Sequence, residues 1–293
     1  MLKADRARCA DYRRYLSASL DRICFETITP EDVLTAHAGG RVRRLDWDSE
    51  FFGVPCGRFE MLWRETGVPA PQAWNGLVPA LLERAAALGL MFVDARIAAE
   101  ELALAQALEA GGFRLVDALG LYLREIGPSE RSSPPSAAAP AARSFDVEAF
   151  LRESLADMQW GRLFADPRVP RDKAEAFYRL STLHYLREGG RMTVLDAADG
   201  LAALAIGIPD TEGTNLVGRR LGDLWLFIVS PRHKGKGLGK RLFNQFCAEF
   251  SAHAELVEIG TQIQHVAANR IYGAGGDMPV AHALTFHRWA ETG

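Results

Sequence analysis

The stretch that most constrains this chain is residues 223–239, Asp-Leu-Trp-Leu-Phe-Ile-Val-Ser-Pro-Arg-His-Lys-Gly-Lys-Gly-Leu-Gly. Its apolar run, 224–229, is rich in aromatic and β-branched residues and suits a buried strand. Pro231 cannot donate to a ladder and ends that strand. Glycines at 235, 237 and 239 and lysines at 234, 236 and 240 make the next segment a basic loop. Leu238, Leu242, Phe243, Phe246, Cys247 and Phe250 then recur at helical spacing. A strand, a basic glycine loop and a helix start therefore follow one another. The first amides of a helix lack internal partners and sit at the positive end of its dipole, so this arrangement suits an anion.

Two common phosphate loops do not fit. A nucleoside triphosphatase loop needs Gly-x-x-x-x-Gly-Lys-Ser/Thr, but Lys234 replaces the first glycine and Arg241 replaces the metal-binding hydroxyl. The dinucleotide pattern Gly-x-Gly-x-x-Gly fails because these glycines step by two. An ordinary glycine turn before a surface helix is the bland alternative.

Composition narrows the class. The chain has 293 residues, 48% of them hydrophobic and 24% charged, enough for one large or two ordinary globular domains. A net charge of −3 gives no general surface for nucleic acid, although a local basic loop can still hold phosphate. Cys9, Cys24, Cys56 and Cys247 are scattered, without metal-ligand spacing, so free thiols are expected, with no metal. Lys3 and five arginines mark the first 22 residues, but Asp5, Asp11 and Asp21 interrupt them. That pattern reads as an amphipathic helix using Tyr12, Tyr15, Leu16 and Leu20 rather than a transit peptide. No apolar run approaches membrane-spanning length, and a cytoplasmic protein is expected.

Residues 127–144 are dominated by Pro, Ser and Ala and read as a linker. They divide the chain into an αβ domain, 1–126, and a second domain, 145–293. In the first domain, 77–88 and 100–110 read as helices, and 91–97, 113–116 and 119–126 as strands. Trp47 and Phe51 stand beside charges in Trp-Asp-Ser-Glu-Phe-Phe-Gly; they line a ligand cleft or anchor the core. In the second domain two helices are expected, the latter over 172–187. Between them lies a loop, 164–171, whose Arg168 and Arg171 suit a phosphate. A hairpin follows, 192–196 with 201–208, turning at Asp199-Gly200. The central strand and glycine helix come next, then a strand 255–261, a helix 264–273 and a strand 281–288.

Lys234-Gly235-Lys236-Gly237-Leu238-Gly239 resembles Gln/Arg-x-x-Gly-x-Gly/Ala, the pyrophosphate loop of the GCN5-related N-acetyltransferases. The segment Gly260 to Gly276, with Tyr272, resembles their strand–helix unit ending in Tyr-x-x-x-Gly. With Trp47-Asp-Ser-Glu-Phe-Phe-Gly53, Gly112-Phe-Arg-Leu-Val116, Ala165-Asp-Pro-Arg168 and His287-Arg-Trp289, the chain is similar to the TDP-fucosamine acetyltransferase family over roughly residues 45 to 290. Two residues depart from that pattern: His265 stands where Asn is frequent, and Asp277 replaces Phe.

The resemblance implies the GNAT fold, an α/β architecture with a mixed, mostly antiparallel central sheet flanked by helices. A smaller, partly GNAT-like αβ domain precedes it. It implies direct acetyl transfer from acetyl-CoA to the amine of a nucleotide-linked amino-deoxysugar, in a cytoplasmic enzyme with no nucleic-acid or membrane partner. A homodimer is left open. Phe227, Ile228 and Val229 would pair with pantetheine as an added strand does, and the amide of Ile228 or Val229 would stabilise the oxyanion. Lys234, Gly235, Lys236, Gly237, Leu238 and Gly239 would hold the pyrophosphate, with help from His265. Tyr272 would be the general acid, Trp47, Phe51, Arg168 and Arg171 would bind substrate, and Glu258, Asp223, His265 and His287 are open candidates for the base. Another small amine (an aminoglycoside, a polyamine or a peptide N-terminus) and a non-catalytic acyl-CoA-binding module are the alternatives.

Overall fold

A computed structural model describes residues 32–65, 67–127, 146–274 and 279–290. The amino-terminal amphipathic helix, nearly all of the Pro/Ser/Ala segment and Asp277 lie outside these residues. The elements in chain order are β1 (Asp32–Leu34), β2 (Ala38–Arg44), α1 (Asp46–Phe52), β3 (Cys56–Arg64), α2 (Ala70–Ala87), β4 (Phe92–Ala98), α3 (Leu102–Ala110) and β5 (Arg114–Glu125). Then come α4 (Val147–Ala156), α5 (Arg162–Ala165), α6 (Arg171–Arg187), β6 (Arg191–Ala197), β7 (Gly200–Asp210), α7 (Thr211–Val217), β8 (Leu221–Val229), α8 (Leu238–Phe250), β9 (Leu256–Gln262), α9 (Val266–Gly273) and β10 (Pro279–Trp289).

The chain forms two compact units whose limits are not those of a simple split at residues 127–144. Of the described residues, the first unit takes those from 32 to 120, together with Gly161–Asp166 and 281–290. The second takes Leu121–Trp160 and Pro167–Val280. Thus β5 crosses the division, and α5 and most of β10 fold with the first unit although they lie far along the chain. Sequence order cannot show this, because contacts that assign a segment to a core are made at long range.

In the first unit β2 lies between β1 and β3, antiparallel to both. Strand β3 is parallel to β4, and β4 is antiparallel to β10. The pleat sends alternate residues to opposite faces. Val93, Ala95 and Ile97 of β4 and Phe286 of β10 join Trp74, Leu77, Val78 and Leu81 of α2 and Leu104 and Leu108 of α3 in one apolar core. The other face carries Arg58, Asp94, Arg96, Thr285 and His287. The expected strands 113–116 and 119–126 are one uninterrupted strand, β5, and α2 begins at Ala70, ahead of the expected position 77, with Pro71 tolerated in its first turn.

The second unit is a mixed sheet covered on both faces. Strands β6, β7 and β8 are antiparallel neighbours, and β8 runs parallel to β9. Leu204 and Ile206 of β7 pack with Phe150, Leu151 and Leu155 of α4. Their neighbours Ala203 and Ala205 pack with Leu242, Phe246, Cys247 and Phe250 of α8. Small residues on that side let the large phenylalanines of α8 approach: a Cβ on Gly207 would sit 2.6 Å from Phe250. The expected loop at 164–171 instead starts in the last turn of α5, which ends at Ala165.

Candidate active site

The site is built around β8. Its pairing with β9 covers Leu221–Leu256, Gly222–Val257 and Asp223–Glu258 and stops there. From Leu224 to Val229, β8 pairs only with β7, so its other edge has no strand beside it among the described residues. Ile206 faces Leu226 while Gly207 faces Leu224, which leaves Trp225 as the extra residue of a β-bulge. A bulge increases local twist and turns the strand away from its neighbour. Phe227, Ile228 and Val229, all half-buried, lie on this open-edged part of β8.

Beyond it, Pro231–His233 forms a short 3-10 turn, and the loop then opens to solvent. Residues 234–237 are exposed. Gly235 and Gly237 have φ of 76° and 74°, and Gly237 is the residue that starts α8. These are left-handed conformations that side chains tolerate poorly. Gly239 is needed for another reason: a Cβ there would lie 2.6 Å from Ile271 Cδ1, so this glycine lets α8 and α9 close up. Leu238 turns inward against the core of the second unit. Lys234 Nζ donates to Asp157, whose carboxyl is held below its usual range by that hydrogen bond and charge. Ser230 Oγ and His233 Nδ1 are buried and find no hydrogen-bond partner among the described residues.

On α9, Tyr272 is 4% exposed. Its ring packs against Phe243, Tyr122 and Phe227 at centroid distances of 5.3, 5.8 and 5.9 Å. Burial, with a smaller contribution from Tyr122, raises its pKa well above that of an ordinary phenol. His265 precedes α9 as its N-cap without a side-chain cap bond, and its ring lies 6.0 Å from that of Trp160. Burial and then Lys234 lower its pKa, which keeps it neutral and places it in the field of the loop lysine.

The turn into α9 is tied down by Asn269, a residue the sequence reading overlooked. Its Nδ2 donates to the carbonyls of Gln262 and His265, both at 2.9 Å, and its Oδ1 accepts from Tyr122 at 2.8 Å. Its amide thus supplies ordering bonds that the side chain of His265 does not make. Asp223 and Glu258 share a face, and burial, then Glu258, then Asp210, push the Asp223 carboxyl up to about 8.

Of the four expected substrate residues, Trp47 and Phe51 belong to the first unit and Arg168 and Arg171 to the second. Arg168 is exposed in the loop before α6. Arg171 opens α6, donates to the carbonyls of Ala156 and Met158 at 2.8 Å, and pairs with Glu175 at 2.9 Å. Trp47 and Phe51 lie one turn apart on α1, stacked at 5.6 Å with an interplanar angle of 8°.

The quoted first-unit motifs do converge, but on a buried ionic cluster. Arg58 faces Asp94 across β3 and β4, and Asp94 faces His287 across β4 and β10. Arg58 makes a bidentate contact to Asp94 at 2.7 and 2.8 Å. Arg162 of α5 reaches Asp94 at 3.2 Å, His287 Nε2 at 3.2 Å and Asp48 at 3.9 Å. Asp166 accepts from His287 Nδ1 at 2.7 Å and Trp289 Nε1 at 2.9 Å. With Nε2 turned to a guanidinium, His287 carries its proton on Nδ1. The signal for this cluster was Asp94 itself, an acid in the middle of the apolar run Phe-Val-Asp-Ala. His287 is held here between Arg162 and Asp166.

An open-edged strand, a bulge and a positive-φ glycine loop capping the next helix together decide the fold. It is the GNAT fold. Residues 152–275 match the model of the Acetyltransferase (GNAT) family. Three similar solved structures cover nearly the whole chain. A GCN5-related N-acetyltransferase from Kribbella flavida is 17% identical, with a TM-score of 0.54, over 95% of each chain. Another from Sphaerobacter thermophilus is 14% identical, with a TM-score of 0.55, over 94% of this chain and 86% of that one. A functionally unknown conserved protein from Staphylococcus epidermidis is 11% identical, with a TM-score of 0.56, over 94% and 100%. No curated protein matches the sequence. The GNAT domain is therefore preceded by an additional αβ region. Among the described residues no helix is long and apolar enough to cross a membrane, and no group of three His, Cys, Asp or Glu is placed to hold a metal ion.

Proposed function

We propose that the protein transfers an acetyl group from acetyl-CoA directly to the amine of a nucleotide-linked amino-deoxysugar, of the TDP-fucosamine type. The observation that carries the acyl-transfer reading is the parting of β8 from β9 beyond Asp223 and Glu258, with the glycine loop at the end of the open edge. The residues present fit acetyl-CoA. Backbone groups of Phe227, Ile228 and Val229 would take its pantetheine amides, and the amides and lysines of 234–239 would take its pyrophosphate. The orphaned Ser230 Oγ and His233 Nδ1 add polar groups at the same end of the strand. Bound there, acetyl-CoA supplies a thioester as the activated acyl donor.

The chain's own residues supply the remaining chemistry. The amide of Ile228 or Val229 donates to the acyl oxygen as charge builds on it. Tyr272 keeps its proton at neutral pH, as a general acid for a thiolate must. Asp223, at the fork and raised to about 8, is the base that takes a proton from the acceptor amine. The sugar-nucleotide part of the reading rests on the resemblance of the first-unit motifs and on the arginines of that unit. The test is thiol release from acetyl-CoA against a panel of nucleotide-linked amino sugars; turnover of none of them overturns this acceptor.

A second reading has its own observation. Glu258 and Asp210 both act electrostatically on Asp223, and such a carboxylate group suits a cationic acceptor such as a polyamine or aminoglycoside. The same panel, extended to those amines, separates the two.

A further inference from the structure

Three guanidinium groups crowd the polar face of the first unit's sheet, and two of them are answered by carboxylates. Arg58 is held bidentately by Asp94, and Arg162 pairs with Asp94 and Asp48. Arg96 is different. It lies two residues beyond Asp94 on β4, on the same face, directly opposite Thr285 of β10. Its Nε donates to Thr285 Oγ1 at 3.3 Å, and Thr285 is 1% exposed. Among the described residues no carboxylate lies within ion-pair distance of Arg96. The threonine hydroxyl fixes the group without neutralising it.

Solvent reaches Arg96, which is an exposed residue. Yet the surrounding protein desolvates it, and the fields of Arg162 and Arg58 add to that effect, so its pKa is lowered despite Asp94 and Asp117. Arg96 is thus open to water and yet crowded by protein, on a sheet face that also carries Arg58 and Asp94. An anchored cation with no ion-pair partner among the described residues therefore stands at the surface, with the Arg58 and Arg162 guanidiniums acting on it.

We propose that Arg96, anchored by Thr285, is the anchor of an anion subsite on the first unit that takes the phosphate or diphosphate of a small-molecule ligand. The planar fork keeps its terminal nitrogens for the ligand, in the geometry that suits phosphate oxygens. An anion there relieves the mutual repulsion of Arg58, Arg96 and Arg162, which Asp94 and Asp117 offset only in part for Arg96. As an assignment of the acceptor's own phosphates the inference rests on the proposed acetyl transfer; as a binding site it does not.

The test uses the full chain saturated with CoA, so that the pyrophosphate loop is occupied, and titrates in inorganic pyrophosphate or dTDP by calorimetry. The parent should bind, and Arg96→Gln should weaken binding at least tenfold, a loss of about 1.4 kcal/mol or more. Arg96→Lys, which keeps the charge and loses the fork, should fall between them, and Arg152→Ala, at an exposed position of α4, should match the parent. An unchanged CoA affinity shows each variant to be folded. Absence of binding by the parent, or equal binding by Arg96→Gln, overturns the subsite. Tighter binding of dTDP than of pyrophosphate, lost in the variant, supports a nucleotide source, whereas equal binding of the two supports a bare phosphate site and overturns the nucleotide. If no amine is acetylated but pyrophosphate binding depends on Arg96, the transfer reading falls and this one stands.

Discussion

Asp223 on β8 and Glu258 on β9 are cross-strand partners on the last rung before their strands part. Two acids side by side in a desolvated place resist double ionisation, and burial, then Glu258, raise the Asp223 carboxyl to about 8. In the unfolded chain an aspartate releases its proton near pH ~3.9. Between those values the folded protein holds a proton that the unfolded chain has lost, so this group's contribution to stability is full below about pH 4 and lost as pH rises through 8.

Asp223→Asn removes that dependence. Its melting temperature should exceed the parent's increasingly from pH 5 to pH 8, with little difference near pH 4. If Asp223 is also the base, the parent's kcat/KM should rise with pH through a limb near 8 that the variant lacks. Thermal melts and a pH–rate profile check both.

Tyr272→Phe keeps the ring contacts to Tyr122, Phe227 and Phe243 and removes the hydroxyl. Loss of a general acid lowers turnover by roughly a hundredfold to ten-thousandfold. Affinity for acetyl-CoA should barely change, because the proton is needed only as the thiolate leaves. Turnover within about threefold of the parent, far short of that range, would make Tyr272 an aromatic of the core and nothing more.

Gly237→Val tests the loop. A Cβ at Gly237 meets no atom within 4 Å, so the change crowds nothing inside the protein. It forces a β-branched residue into a left-handed conformation, at a cost of about 1–2 kcal/mol, and places bulk on the exposed loop. The Michaelis constant for acetyl-CoA should rise severalfold or more; steady-state kinetics on folded protein decides.

The ionic cluster of the first unit should make that unit acid-sensitive. Burial and Arg162 hold the His287 pKa below its ordinary value, against Asp166. Its contribution is therefore present above about pH 6.5 and is lost as pH falls through the lower folded value. Burial alone would raise Asp94, but Arg162 and Arg58 pull it below the ordinary carboxylate range, so its contribution persists to lower pH and is lost last. Denaturant unfolding of Asp223→Asn, which lacks the opposing titration of Asp223, should show a lower midpoint at pH 5 than at pH 7. Arg162→Met should destabilise by about 3 kcal/mol or more, as breaking a buried ion pair does.

The sequence by itself determined the strand–loop–helix around Gly235 and Gly237, and with it the family of folds. That information is local: a strand run, a proline stop, positive-φ glycines and a helical repeat each act within a few residues. The hairpin β6–β7, helix α6 and the place of Tyr272 were legible for the same reason. Tertiary structure alone decided which unit owns α5 and β10, because Arg162 and Asp166 meet Asp94 and His287 across gaps in the chain that no periodicity records. It also decided that Arg171 ties a helix end, that Asn269 orders the turn before Tyr272, and that Arg96 stands beside two paired arginines with no ion-pair partner of its own among the described residues. A charge read from sequence has no partner until the fold brings one, and burial, which sets the acidity of Asp223, Tyr272 and His287, exists only once the strands and helices have packed.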